Sequence, residues 1–429
     1  MSEQNSIVTW ATVLQYCNTA VDKTEGNSTN LWIFGLKPEY KNSITSVELP
    51  TLTQEIINDD NQLVDIPFGL DITVKIAPAA FQNSNLTSVV LGTNVVSIGE
   101  SAFKSCTELA TVDISTQIRS EDLVVKESLI IGHGAFQDCS SLSEITLPFI
   151  GDSYNAKNSF FGYIFGAHNP EEQVLYLPKS LDTVKIIGTT VLSLETSETP
   201  TEGNVEQNTE EKRYTALNLY KKSFYGCRDL QYVYLPNITW PKSTDSVTRY
   251  FEIPEDCFNS CTSLSYLGTD SDLKYNTLDL YSLATTPTNP TNLPKAAALR
   301  LIGERAFYGC YNIYSVLLPE LSVDLTRKGF PRIGLHAFTD CFNLTGIYGP
   351  GLVGLQQAYL GSTLNGDIFT YVAELGLQPD VPELPITGTA GLSNPEREYL
   401  KNHLAFTIPP YEGNKNSRRY DVSMPSLTI

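Results

Sequence analysis

Six segments of the chain can be laid over one another residue for residue, and this recurrence constrains the fold more than any other feature. The full copies are Ala102-Phe103-x-x-Cys106-x-x-Leu109-x-x-Val112-x-Ile114 and Ala135-Phe136-x-x-Cys139-x-x-Leu142-x-x-Ile145-x-Leu147-Pro148. Ser223-Phe224-x-x-Cys227-x-x-Leu230-x-x-Val233-x-Leu235-Pro236 and Cys257-Phe258-x-x-Cys261-x-x-Leu264-x-x-Leu267 follow. The last two are Ala306-Phe307-x-x-Cys310-x-x-Ile313-x-x-Val316-x-Leu318-Pro319 and Ala337-Phe338-x-x-Cys341-x-x-Leu344-x-x-Ile347. A seventh, Ala80-Phe81-x-x-Ser84-x-Leu86-x-x-Val89-x-Leu91, is one residue shorter, and Ile44-x-x-Val47-x-Leu49 and Leu181-x-x-Val184-x-Ile186 read as strand halves. Self-similarity at this period marks a solenoid of stacked units.

Each place in the frame has a physical reading. The terminal [Val/Ile]-x-[Leu/Ile] alternates with period 2, which makes a short strand with those side chains inward. Proline after it stops the strand. The Ala-Phe pair is expected on a helical or 3₁₀ turn, with Phe packed inward and Ala leaving room for it. A unit this small cannot bury its own apolar face, so neighbours stack to make one continuous core. Successive Phe residues are 22, 33, 88, 34, 49 and 31 residues apart, so insertions separate some units.

Several copies open with Ile-Gly, at Ile98-Gly99, Ile131-Gly132, Ile302-Gly303 and Ile333-Gly334. With them the frame closely resembles the BspA-like leucine-rich repeats, whose motif reads much like Ile-Gly-x-x-Ala-Phe-x-x-Cys-x-x-Leu-x-x-Ile-x-Leu-Pro. The stretch Gly162-Tyr163-Ile164-Phe165-Gly166 with Leu177-Pro178-Lys179-Ser180-Leu181 resembles a variant unit. The resemblance implies a leucine-rich-repeat solenoid, mainly β with irregular insertions. It also implies adhesion to host or matrix proteins, the habit of bacterial and protist surface members; similar repeats occur in phage proteins.

The expected organisation has three parts. Residues 1–43 form an N-terminal cap or docking segment, with a short amphipathic helix through Val8, Ala11, Leu14, Cys17 and Val21 and a strand at Leu31-Trp32-Ile33-Phe34. Residues 44–350 form the solenoid, with insertions near 151–216 and 268–299. Residues 351–429 form a C-terminal cap, small domain or docking arm, with a helix starting at Asn394-Pro395. Within the first insertion, residues 195–211 hold six Glu and no basic residue, which reads as a solvated, unordered stretch. Pro287, Pro290 and Pro294 mark a second inserted loop.

Charge narrows the partners. Among 429 residues, 29 basic and 48 acidic side chains give a net charge of −19, which repels phosphate backbones and argues against nucleic acid. No apolar run is long enough for a membrane helix, so membrane insertion is not expected. The N-terminus lacks the basic start and apolar stretch of a secretory signal, which favours a virion or other particle over a cell surface.

Eight cysteines raise the question of disulfides or zinc, and the frame answers it. Six occupy one repeat place and Cys257 the small-residue place before Phe, so buried thiols are expected. There are four His, at 133, 168, 336 and 403, none in a nucleophile or metal motif. Catalytic residues, metal ligands and cofactors are therefore not expected. A carboxylate pair hidden in a loop is the one enzymatic alternative.

Residues between the inward positions of each strand should point outward. They run from Ser46, Glu48, Ser88, Val90, Thr111, Asp113, Glu144 and Thr146 to Tyr232, Tyr234, Tyr266, Ser315, Leu317, Gly346 and Tyr348. Tyr offers large contact area with few rotors and a polar tip, so Tyr232, Tyr234, Tyr266 and Tyr348 are the candidate ligand-binding residues. The function expected is non-catalytic macromolecule binding in an adhesive or attachment role, on a microbial surface or as a phage or particle fibre or decoration. The partner would be a protein or glycan on a host or matrix surface, or neighbouring structural subunits. A scaffold bridging subunits is the alternative, and self-association into a homo-oligomer is compatible with both.

Overall fold

The computed structural model describes residues 6–7, 9–23, 28–49, 55–57, 63–65, 71–92, 94–114, 129–154, 158–201, 204–237, 250–269, 276–284, 298–317, 332–333, 336–341, 343–344 and 346–348. The expected C-terminal block, its helix at Asn394 and the Pro287–Pro294 loop lie outside these residues. The chain divides into two compact units, residues 1–187 with 222–233, and residues 188–221 with 234–429.

In the first unit the [Val/Ile]-x-[Leu/Ile] segments form a parallel ladder. Strand Ser46–Leu49 is followed by Ser88–Leu91, Thr111–Asp113, Glu144–Leu147 and Thr183–Ile186, and Ser6–Ile7 pairs on the outer side of the first. Register is strict: Val47, Val89, Val112, Ile145 and Val184 lie opposite one another and all are buried. A one-residue slip would turn each of them outward, so burial fixes the register.

A second ladder runs beside the first within this unit, in the order Ile130–Ile131, Val95–Ile98, Asp71–Ile76, Ser28–Leu36, Cys17–Lys23. All neighbours are parallel except the last pair, which is an antiparallel hairpin. The N-terminal segment thus supplies strands to both ladders. Its helix spans only Trp10–Tyr16, capped by Thr9 and Thr12 reciprocally, and ends where the expected helical spacing continued to Val21. Cys17, Thr19 and Val21 instead alternate along a strand, since pairing with Ser28–Leu36 satisfies a backbone that a lone short helix would leave exposed.

Turns between the ladders carry the Ala-Phe pairs. Backbone bonds of the i to i+3 kind, such as Ala80 N–H to Ala77 at 3.2 Å and Lys104 N–H to Ser101 at 3.0 Å, give the tight turn expected. Between full copies the Phe N–H then donates to the Ala carbonyl of the next unit, Phe81 to Ala102 at 2.7 Å and Phe103 to Ala135 at 2.8 Å. The rings stack face to face, Phe81 on Phe103 at 5.1 Å and Phe103 on Phe136 at 5.3 Å, adding about 1 kcal/mol per pair beyond burial.

The glycine of Ile-Gly has a steric reason. A Cβ on Gly99 would lie 2.3 Å from Pro78 N, and one on Gly132 2.4 Å from Glu100 N, because successive turns press backbone against backbone. Two further places in each turn adopt positive φ. Before the Ala-Phe pair stand Ala79, Ser101, Gly134 and Lys222, and before the Cys place stand Asn83, Ser105, Asp138 and Gly226. Gly, Asn, Asp and Ser recur at the second place because they tolerate this region at least cost.

The variant unit is present as expected. A 3₁₀ helix, Phe161–Phe165, takes the place of the Ala-Phe turn, with Phe136 N–H bonded to Ile164 O at 2.8 Å. Buried Gln173 pins it, accepting from Gly162 N–H at 2.9 Å and donating to Lys222 O at 3.2 Å.

The second unit repeats the plan. Its first ladder is Tyr266–Gly268, Thr277–Asp279, Ser315–Leu317 and Gly346–Tyr348, all parallel. Thr277–Asp279, with the short helix Leu280–Ala284, is an extra strand within the expected insertion. The second ladder is Tyr250–Ile253, Ala298–Ile302 and Arg332–Ile333. Phe258, Phe307 and Phe338 stack at 5.4 and 5.5 Å, and a Cβ on Gly303 would lie 2.3 Å from Glu255 N.

One expectation is overturned here. Residues 195–201 and 204–211, read as unordered, lie in two antiparallel paired strands, Thr189–Thr201 and Asn204–Ala216. Thr recurs along them, and cross-strand backbone bonds order a segment whose composition provides no core.

Candidate binding face of the strand ladder

The place to look for a partner is the row of strand positions that the core does not use. In the first unit Ser46, Ser88, Thr111, Glu144 and Thr183 share one register line, and Glu48, Val90, Asp113, Thr146 and Lys185 share the next. Glu48, Val90 and Thr111 are exposed and the others half-buried. Lys185 Nζ and Glu144 Oε1 pair across adjacent strands at 2.8 Å, both partly exposed, so the pair adds little stability and mainly orients two side chains. The face mixes hydroxyls, carboxylates and one valine, 36% exposed.

The second unit treats the corresponding positions differently. Tyr266 is 0% and Tyr234 5% exposed, which corrects the expectation that both point to solvent. Gly268 explains it: a Cβ there would lie 2.7 Å from the Tyr266 hydroxyl, so the missing side chain lets the ring fold back along its own strand. The hydroxyl then donates to Thr269 O at 2.8 Å, and Tyr234 packs on the ring at 5.7 Å. Tyr232 is half-buried, and the Tyr348 side chain lies outside the described residues. Two of the four candidate tyrosines, Tyr234 and Tyr266, are therefore buried and offer no accessible ring.

Around Tyr266 the outward positions stay covered. Thr277 and Ser315 are buried with hydroxyl oxygens 2.8 Å apart. Asp279 is 1% exposed and accepts from Ser282 N–H at 3.0 Å; burial pushes its carboxyl up from the ordinary range. Leu317 is buried as well.

All eight cysteines are buried and free, as the frame implies. The structure adds a role that residue spacing did not show. Cys106 Sγ donates to Phe81 O at 3.1 Å and Cys139 Sγ to Phe103 O at 3.2 Å. In the other unit Cys310 bonds to Phe258 O at 3.2 Å and Cys341 to Phe307 O at 3.0 Å. Each of these thiols thus adds a second bond to the Phe carbonyl of the preceding turn, which already accepts a backbone N–H of its own turn at 3.2 Å. Burial raises the thiol pKa values of Cys106, Cys139, Cys310 and Cys341, and that of Cys17 to about 12, which keeps these five protonated and poor nucleophiles.

Among the described residues no group of three or more His, Cys, Asp or Glu is placed to hold a metal ion. His133 stacks on His168 at 4.7 Å and meets Ala167 O at 3.2 Å through Nε2. The described acidic cluster, Glu255, Asp256 and Glu304, surrounds Arg305, with Nε 3.0 Å from Asp256 and Nη2 3.1 Å from Glu255. Asp256 first, with Glu304 and Glu255, raises the Arg305 pKa, as expected of a guanidinium held among three carboxylates. No helix among the described residues is long and apolar enough to cross a membrane.

Comparison with known proteins agrees with this architecture. The chain matches the model of the BspA type leucine-rich repeat region in six copies, over residues 39–124, 121–162 and 217–358. None of the curated proteins matches it. Among solved structures, the leucine-rich repeat protein TpLRR of T. pallidum is 17% identical, with 70% of this chain and 88% of that one covered and a TM-score of 0.27. A leucine-rich cell surface protein of Faecalibacterium prausnitzii is also 17% identical, covering 76% and 86%, with a TM-score of 0.23. The pneumococcal vaccine antigen PcpA is 14% identical, covering 82% and 84%, with a TM-score of 0.20. Scores this low carry no argument by themselves. The family match, spanning more than half of the sequence, does: the chain belongs to the BspA-type leucine-rich repeat family.

Proposed function

We propose that the chain is a non-catalytic attachment protein that binds a protein or glycan through the strand face of its first unit. One observation carries this reading. Five successive strands in register keep the same two outward places out of the core, with Glu48, Val90 and Thr111 exposed and the other seven half-buried. A repeated, rigid face of hydroxyls and carboxylates is what a repeat protein offers for extended recognition. The N-terminal segment acts as a cap, since its strands are spent on the ladders of its own unit. The alternative, a scaffold bridging subunits, would use the same face toward neighbours in an assembly.

The test is to screen the full chain against immobilised glycans and matrix proteins beside a Val90→Arg/Thr111→Arg variant. Binding by the wild type that falls at least tenfold in the folded variant supports the reading. Equal binding by both removes the face from the account. Co-sedimentation of the chain with envelopes or particles separates a surface setting from a particle one.

A further inference from the structure

Two aspartates described in the second unit are buried, and they differ in what stands beside them. Asp256, 3% exposed, holds the Arg305 guanidinium, with Nε at 3.0 Å. Asp279, 1% exposed, has Ser282 as its partner, whose N–H donates to Oδ1 at 3.0 Å. Among the described residues no cation acts on it. An acid buried without a counter-charge is favoured in its neutral form. Burial accordingly pushes the Asp279 carboxyl up, outweighing the Ser282 bonds that hold it down. On the elements packed around it, Tyr266 is the other titratable side chain described. Ser315 and Leu317 on the next strand, and Ser282 and Leu283 on the helix that follows, carry no charge.

A chain of hydrogen bonds joins this carboxyl to the buried tyrosine. Asp279 lies in register with Leu317 on one side. On the other side Gly268 leaves it room: a Cβ there would stand 2.9 Å from Asp279 Cβ and 2.7 Å from the Tyr266 hydroxyl. The Ser282 hydroxyl donates to the Asp279 main-chain oxygen at 2.9 Å and accepts from Thr269 N–H at 3.0 Å. Thr269 O in turn accepts the Tyr266 hydroxyl at 2.8 Å. In the first unit Asp113 holds the second outward place of its own strand, but it is half-buried and water reaches it.

We propose that Asp279 is a pH-sensitive latch: in its neutral form it holds the strand face of the second unit closed, and its ionisation loosens Ser282, Thr269 and Tyr266 locally. Once charged, the acid is stabilised by water, and water entering beside it competes for the Ser282 and Thr269 bonds. Leu278, Leu280 and Leu283 are 0% exposed and stay in the core, which confines the change to the outer face. The closed face prefers the protonated acid. Its stabilisation is therefore full below the ordinary aspartate range and is lost as pH rises through the raised folded-state value. Acid tightens this face and alkali loosens it, whereas the face of the first unit does not respond. The second unit thus offers its outer strand face conditionally.

Amide hydrogen exchange of the full chain, read by mass spectrometry from about pH 5 to about pH 9 and corrected for the intrinsic rate, tests this. Protection of residues 266–269 and 315–317 should fall at least tenfold over that range, while that of residues 111–113 stays constant. Asp279→Asn, isosteric with the neutral acid, should hold protection constant throughout, and Asp113→Asn should change nothing. Comparing the two strand faces within the wild type reads the latch even where a variant folds poorly. Protection that is constant at 266–269 and 315–317, that falls equally at 111–113, or that still falls in folded Asp279→Asn would overturn the proposal.

Discussion

Thr111 and Ser315 hold the same place in the repeat, the first residue of the short strand before a buried valine. Thr111 is exposed and Ser315 is 6% exposed. The next outward place repeats the contrast, with Val90 and Leu317 on corresponding positions and only the first open to solvent. The inward positions show no such difference: Phe, Cys, Leu and Val are buried alike in both units. The frame therefore specifies the core of a unit and leaves its outer face to the residues in between. In the first unit these are polar at every place but Val90. In the second, Gly268 lets Tyr266 lie down along the strand, and hydroxyls pair beneath cover.

The shared core should give the largest effects and give them equally. Phe136→Ala and Phe307→Ala each remove a fully buried ring from a stack, at about 3–5 kcal/mol by denaturant unfolding. A cost in one unit only would mean that the two cores are not equivalent. The outer face should divide them. Ser315→Lys buries a charge without a partner and should cost about 3 kcal/mol, whereas Thr111→Lys should stay within about 0.5 kcal/mol. Similar losses at both sites would erase the contrast.

The thiols come next in size. Cys139→Ala and Cys341→Ala each remove one of two bonds to a buried Phe carbonyl, which still accepts from Cys106 or Cys310 N–H at 3.2 Å, so with the lost side-chain volume each should cost about 1–2 kcal/mol. Their protonation also predicts a pH dependence. Because burial raises the folded-state value of Cys17 from 9.0 to about 12, the unfolded chain loses its proton first. Stability from this group is intact below pH 9 and falls as pH rises toward 12, which alkaline unfolding followed by circular dichroism would register. Smallest is the turn before each Cys. Ser105 has φ +59°, so Ser105→Gly should stabilise by about 0.5 kcal/mol and Ser105→Val destabilise by about 1–2 kcal/mol.

Much of this fold is legible from residue order because each unit is local. Period-2 alternation gave the first ladder, the Ala-Phe pair its turns, and the cysteine register its buried thiols. The second ladder was harder to see. Two of its strands, Val95–Ile98 and Ile130–Ile131, are only four and two residues long and are defined by neighbours a whole unit away. The Cys-to-Phe hydrogen bonds are hidden for the same reason, since donor and acceptor sit in different units. The positive-φ place did leave a trace: Asn83, Ser105, Asp138, Gly226, Ser260, Gly309 and Asp340 fill it in seven copies. Tyr266 misled because alternation fixes which way a side chain starts, not where it ends. The glycine two residues later was the available signal. The hairpin at 189–216 misled because composition measures what a segment can bury and not what its backbone can pair.

The most direct test is to place one new thiol on each face and follow maleimide labelling of the folded chain. The eight native thiols are buried and supply little background. Thr111→Cys should react at the rate of an exposed thiol, and Ser315→Cys should react only on unfolding. Equal rates at the two positions would contradict the claim that the strand face is open in the first unit and covered in the second.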